Sequence, residues 1–126
     1  MQAAKVDLLL KKKAIVYVYS YSTTTTLGQI RKPVFLDDKE IADIRPERYF
    51  IALIAPGKHS LHLKNKKFGG VEKEFEAGQT YYIRIDWRNN GMSVVPAGFV
   101  IVPADNGIFD LKQLKPVDKG NISKSN

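Results

Sequence analysis

Thr80-Tyr81-Tyr82-Ile83-Arg84-Ile85-Asp86-Trp87-Arg88 alternates in character at every step. In an extended chain, successive side chains point to opposite faces. Tyr81, Ile83, Ile85 and Trp87 therefore share one side, and Tyr82, Arg84, Asp86 and Arg88 the other. A run of this length with period two predicts a half-buried strand. It predicts that Tyr81, Ile83 and Ile85 are buried while Arg84 and Asp86 face solvent. A slip of one residue would exchange the faces.

Outward from this stretch, similar short runs recur between turn residues. On the N-terminal side, Ala77-Gly78-Gln79 turns the chain. Before it, Val71 and Phe75 point one way and Glu72, Glu74 and Glu76 the other. His59, Leu61 and Leu63 share a face opposite Ser60, His62 and Lys64, after the turn Ala55-Pro56-Gly57. Residues 49–54 are the most apolar run. Val34-Phe35-Leu36, the turn Asp37-Asp38-Lys39 and residues 40–44 predict a tight hairpin. Ala14-Ile15-Val16-Tyr17-Val18-Tyr19 is apolar on both faces, as a strand covered on two sides requires.

Residues 20–27, with four consecutive threonines, read as a loop or weak edge, and residues 20–32 as the most mobile internal segment. On the C-terminal side, Asn89-Asn90-Gly91 ends the alternating strand and residues 99–102 form a last one. Ile108, Leu111 and Leu114 have helical spacing, which predicts a short helix or turn over 109–114. The fold expected is all-β: a single β-sandwich of about seven or eight short, mostly antiparallel strands with a short C-terminal helix or turn. Residues 1–13 read as a basic lead-in, 14–117 as the sandwich and 118–126 as a flexible polar tail.

The chain has 126 residues, 44% apolar and 26% charged, which suits one folded domain. Without cysteine it has no disulfide, thiolate metal site or cysteine nucleophile. No apolar run approaches the roughly 18–20 residues of a membrane-spanning helix. Near the start, Leu8-Leu9-Leu10 is shorter than the roughly 7-residue core of a signal peptide. The expectation is a cytoplasmic protein, or a periplasmic or outer-membrane-associated one if a leader has been removed. The formal charge of +7 favours anionic partners, or serves solubility alone.

Several of these runs also resemble one family. Ala14-Ile15-Val16-Tyr17-Val18-Tyr19, Pro33-Val34-Phe35-Leu36-Asp37, Tyr49-Phe50 and Ala55-Pro56-Gly57-Lys58-His59 carry the likeness. Its most specific part is Glu76-Ala77-Gly78-Gln79-Thr80-Tyr81-Tyr82-Ile83-Arg84. Over about residues 14–117 the chain resembles the small bacterial family named domain of unknown function 2846. The resemblance implies a transthyretin-like or carboxypeptidase-regulatory-like sandwich and an association with the bacterial cell envelope. It implies no catalytic residue.

Each grouping with chemical potential has a structural reading beside it. His59 and His62 are three apart, so in a strand they point to opposite faces and do not chelate one metal. His59 reads as a core or rim residue, His62 as solvent-facing above the glutamates of the next strand. Glu72, Glu74 and Glu76 stand about 7 Å apart along a strand, too far to close on one cation. If Leu61 pairs with Phe75, Lys64 faces Glu72 and His62 faces Glu74, so the row reads as cross-strand charge pairing. Asp37-Asp38 with Glu40 lacks calcium-loop spacing. Ser20, Ser22 and the threonines lack a local histidine or acid, and Gly69-Gly70 and Gly78 are turn glycines. No catalytic, metal or cofactor site is expected.

What remains is binding. Lys64, Lys66, Lys67 and Phe68 place charge and an aromatic ring at one hairpin tip, a pattern suited to a phosphate backbone or anionic glycan. The stronger candidate is Tyr82, Arg84, Trp87 and Arg88, since arginine and aromatic side chains carry interface energy. Lys11-Lys12-Lys13 and Arg31-Lys32 add further basic groups. The expected function is a non-catalytic binding or scaffolding module presenting loops to a protein or glycan. The alternatives are a basic domain binding nucleic acid or another anionic polymer, and a hydrolase with an unrecognised site.

Overall fold

The computed structural model describes residues 12–20, 32–45, 47–64, 70–89, 94–116 and 122–124, of which 88–89, 94–96 and 122–124 are described by backbone alone. The elements are β1 (Ala14–Ser20), β2 (Lys32–Leu36), β3 (Lys39–Ile44), β4 (Arg48–Ile54), β5 (Gly57–Leu63), β6 (Gly70–Phe75), β7 (Thr80–Asn89), β8 (Val94–Val102), α1 (Ala104–Leu111), β9 (Lys115–Pro116) and β10 (Ile122–Lys124). One sheet has the order β10-β4-β1-β7-β8, with β9 also on β4; the other runs β3-β2-β5-β6. The chain is an all-β sandwich with one short helix near its C-terminal end.

Alternation explains the core. Val16 and Val18 of β1, Phe50 and Ile54 of β4, and Ile83 and Ile85 of β7 turn inward from the first sheet. Val34, Leu36, Ile44, Leu61, Leu63 and Phe75 meet them from the second. Each of these side chains is almost completely withdrawn from water. Trp87 closes the same core and donates its indole N–H to Ser20 Oγ. That bond satisfies the one polar atom the ring takes inside.

The β2–β3 hairpin turns on Asp37 and Asp38, both at positive φ, 56° and 139°. A two-residue hairpin loop needs such angles, and aspartate is among the few residues that tolerate them.

The strand pairs are mostly antiparallel, as expected; β1 runs parallel to β7, and β4 parallel to both β9 and β10. Ile122–Lys124 pairs with residues 51–53 of β4. Backbone groups of an outer strand can recruit such a segment without any apolar pattern in it. The helix begins at Ala104 rather than 109, because Pro103 ends β8 and stands at the helix N-cap with φ −58°. Its sheet-facing positions include Gly107 and Asp110, which no hydrophobic period reveals.

The β5–β6 register is also different. Leu61 pairs with Val71, and Phe75 with Gly57, so His62 faces Gly70 and Ser60 faces Glu72. Lys64 faces none of the glutamates in this ladder. Lys58 is the cross-strand partner instead, opposite Glu74 and 3.4 Å from Glu72 Oε1. Both side chains are well exposed, so the pair contributes little. The tight approach at Gly70 favours the observed register, since a Cβ there would stand 2.8 Å from Leu61 O. Residues 21–31, which include nearly all of the segment expected to be mobile, lie outside the described residues.

Candidate functional site

Polar side chains gather at two places. The first is the β2–β3 turn. His59 Nδ1 lies 2.5 Å from Asp37 Oδ2, and His59 Nε2 lies 2.7 Å from Ala55 O. Both partners are acceptors, so both ring nitrogens are engaged and neither is left to act as base or ligand. The Ser60 N–H donates to Asp37 Oδ1, and the Asp37 N–H donates to Ser60 O. These bonds staple the hairpin tip to β5. His59 occupies the rim position expected of it, half-buried against Phe75.

His62 is corrected more sharply, because it is buried and not solvent-facing. Its ring stacks on Phe35 at 5.6 Å with planes 5° apart. Nδ1 donates to Leu63 O, and Nε2 has no hydrogen-bond partner among the described residues, standing 3.7 Å from Asp38 Oδ1. No group of three or more His, Asp or Glu side chains among the described residues is placed to hold a metal ion.

Partial burial raises the Asp37 carboxyl, but the His59 and Ser60 hydrogen bonds and the two histidine charges outweigh it and hold it below its ordinary value. A depressed carboxylate stabilises the fold above its unfolded value, about 3.9, and loses that contribution as pH falls through the lower folded value. Asp37→Asn should therefore lower stability at neutral pH, with the difference from wild type shrinking as pH falls through the carboxyl's lowered folded value. Urea titrations at pH 7 and pH 2.5 would check it; an equal difference at both would show that Asp37 acts through turn geometry alone.

The second gathering is the outer face of the first sheet, beneath α1. Tyr19, fully buried, donates its hydroxyl to Asp110 Oδ2 at 2.5 Å. Tyr17 stacks on Tyr82 at 5.3 Å, and Tyr49 leans on Tyr17 at 6.2 Å. Arg84 grips Asp86 through Nε at 2.6 Å and Nη2 at 3.3 Å. That pairing leads in holding the guanidinium above its ordinary value, against a smaller opposing effect of burial. Burial, with Tyr17 adding to it, raises the Tyr82 hydroxyl. Tyr19→Phe should destabilise by roughly 1–3 kcal/mol, since it leaves a buried carboxylate short of a donor. Thermal unfolding would measure this, and a change under about 0.5 kcal/mol would mean the bond contributes nothing net.

The residues expected to form the stronger binding surface are not brought together. Trp87 lies in the core, and Tyr82 is covered by α1 and stacked on Tyr17. The alternation placed Tyr82 outward correctly, but a helix covers that face. Arg84 and Asp86 are half-buried, not fully exposed. Arg88 is described by backbone alone, and Lys66, Lys67 and Phe68 lie outside the described residues. Lys64 is exposed at the end of β5.

A feature that sequence reasoning missed is the exposure of four large apolar side chains at the end of β8 and on α1. Val100 is 36% exposed, Ile101 46%, Ile108 46% and Phe109 64%. All the exposed large apolar side chains of the described residues thus fall in residues 100–109. Ile108 was legible as part of a helical period, which does not by itself tell whether it is covered. Isolated exposed apolar residues are ordinary; four within ten positions on one strand end and the helix that follows are not.

The model of a family described as Protein of unknown function (DUF2846) matches residues 10–98. The match takes in β1 to the first part of β8, and ends before α1. No curated protein and no solved structure matches the chain. Among the described residues, no helix is long and apolar enough to cross a membrane.

Proposed function

The chain belongs to the DUF2846 family, and from that premise we propose that it is a non-catalytic binding module that makes contact through residues of the end of β8 and of α1. The observation that carries this is the exposure of Val100, Ile101, Ile108 and Phe109, four large apolar side chains within ten residues of a chain that is 26% charged. Large apolar side chains left in water can serve as contact points for a partner. The titratable groups described above support the same reading. His59, Asp37, Tyr19 and Asp110 spend hydrogen bonds on joining separate parts of the fold, and Arg84 and Asp86 spend theirs on each other within β7. Association with the bacterial cell envelope is part of this proposal, and rests on the family likeness.

A photo-crosslinking side chain in place of Phe109, in the native host, tests the reading. Adducts at 109 that are absent when the same group replaces Glu74, on β6, are the expected result. No adduct at 109, or equal labelling at both positions, would sink it.

The charge of +7 supports a second reading, binding of an anionic polymer. Such binding acts through exposed groups whose reach is screened to about 8 Å at physiological salt. Heparin or oligonucleotide affinity should then fall steeply with added salt, and no binding at low salt would remove this reading.

A further inference from the structure

We infer that residues 1–11 cover the half of the first sheet's outer face that α1 does not reach, laying Val6, Leu9 and Leu10 over Ile15, Ile51 and Leu53. This goes beyond the binding reading above and does not depend on it. Val16, Val18, Phe50, Ala52 and Ile54 fill the core, so Ile15, Tyr17, Ile51 and Leu53 point outward from β1 and β4. In register, Ile15 stands opposite Leu53 and Tyr17 opposite Ile51, which makes one contiguous patch. A sheet face left to water alternates with polar side chains, whereas strands apolar on both faces are covered on both.

Helix α1 covers the other half. Gly107 lies on Tyr82, Asp110 holds Tyr19, and Leu111 and Leu114 complete a cluster with Tyr17 and Tyr49. Among the described residues, Ile15, Ile51 and Leu53 join neither that cluster nor the core. Leu53 is nevertheless only 8% exposed. The adjacent strands β1 and β10 shield it from the sides. A side chain standing up from a sheet keeps its tip in water, however, unless something lies over it.

Connectivity leaves one occupant. Residues 21–31, 46 and 90–93 attach at the ends of β1, β4 and β7 remote from Leu53, and 65–69 joins two strands of the second sheet. Residues 117–121 and 125–126 flank β10 but bring one apolar side chain, Val117. Residues 1–11 bring Val6, Leu8, Leu9 and Leu10, and lead into β1 beside Ile15. Lys12 has helical backbone and an exposed side chain. The Gly78 N–H donates to Lys13 O, which fixes where the segment departs. Continued as a helix, eleven residues extend about 16 Å, enough to cross strands that stand about 5 Å apart. Val6, Leu9 and Leu10 then form one stripe, and Lys5, Asp7, Lys11 and Lys12 fall outside it.

The chain has no cysteine, so an introduced one is the only thiol that reacts. Ile51→Cys should react slowly with a maleimide in the otherwise unchanged full chain. Adding Leu9→Ser and Leu10→Ser should speed that reaction at least about tenfold, because the cover then opens more readily. Glu74→Cys, at an exposed position on β6, should react alike in both backgrounds. Unchanged Trp87 emission would establish that the faster reaction is not unfolding. Methyl NOE spectra of the wild-type chain are a second measurement, independent of any substitution, and decide the matter if that emission shifts. Leu9 or Leu10 should show contacts to Ile51 or Leu53. Equal reaction rates at position 51 in the two backgrounds overturn the inference, as does the absence of those contacts. Contacts seen only between differently labelled chains in a mixed sample place the segment on a second copy and overturn it too.

Discussion

Replacing Ile83 by alanine is expected to cost on the order of 2–5 kcal/mol, a large share of the stability of a domain this size. Ile83 is completely buried on β7, the strand that lies between β1 and β8 in the first sheet. Its side chain reaches into the core shared by both sheets, with Ile85 and Trp87 beside it on the same face. Alanine there removes three buried carbons and leaves a void that paired strands on either side cannot collapse to fill. Denaturant unfolding followed by Trp87 fluorescence would measure it, since Trp87 is the only tryptophan and is buried in the folded state. Arg84→Ala, one residue away on the opposite face, should cost less, because its ion pair with Asp86 is partly exposed. Equal losses at the two positions would mean the faces of β7 are assigned wrongly.

Gly107→Ala should be destabilising as well, by roughly 1–3 kcal/mol, which is the opposite of what helix propensity alone predicts. In an exposed helix the change stabilises by about 1 kcal/mol, because alanine loses less backbone freedom on folding. At Gly107, however, an added Cβ would stand 2.4 Å from Tyr82 Cγ and 2.6 Å from Tyr82 Cβ. Those atoms are the root of the tyrosine and not a flexible end, so the ring cannot step aside without leaving its stack on Tyr17. Either α1 lifts from the sheet or the Tyr17–Tyr82 pair breaks, and Tyr19 and Asp110 separate in the first case. A lowered melting temperature, with faster amide exchange at 104–111 than in β4, is the expected outcome. A melting temperature at or above wild type would show that α1 is docked too loosely for the glycine to matter.

Much of this architecture was legible in the sequence, for a physical reason that also sets its limit. The alternation of residues 80–88 and the apolar faces of residues 14–19 are local properties, because side-chain direction in a strand depends only on the parity of position. The inward set of β7, the two-sided cover of β1 and the hairpin at Asp37-Asp38 followed directly. Parity does not distinguish registers that differ by an even number. Val71 and Phe75 lie on the same face, so pairing Leu61 with either leaves every side chain where alternation puts it. The choice of Val71 depends on a close approach at Gly70, a contact between two strands.

The candidate surface lay further from view. Tyr82 and Arg84 were read as outward, and outward they are, but a helix with glycine and aspartate toward the sheet covers Tyr82. A hydrophobic period cannot reveal a cover made of Gly107 and Asp110, since the one fits by having no side chain and the other by meeting the Tyr19 hydroxyl. The exposure of Val100, Ile101, Ile108 and Phe109 is likewise a property of what packs against them. The sequence by itself determined which residues share a face, because that follows from the geometry of each strand. Which faces are covered and which registers close were decided only by the tertiary structure, because each depends on atoms brought together from distant parts of the chain.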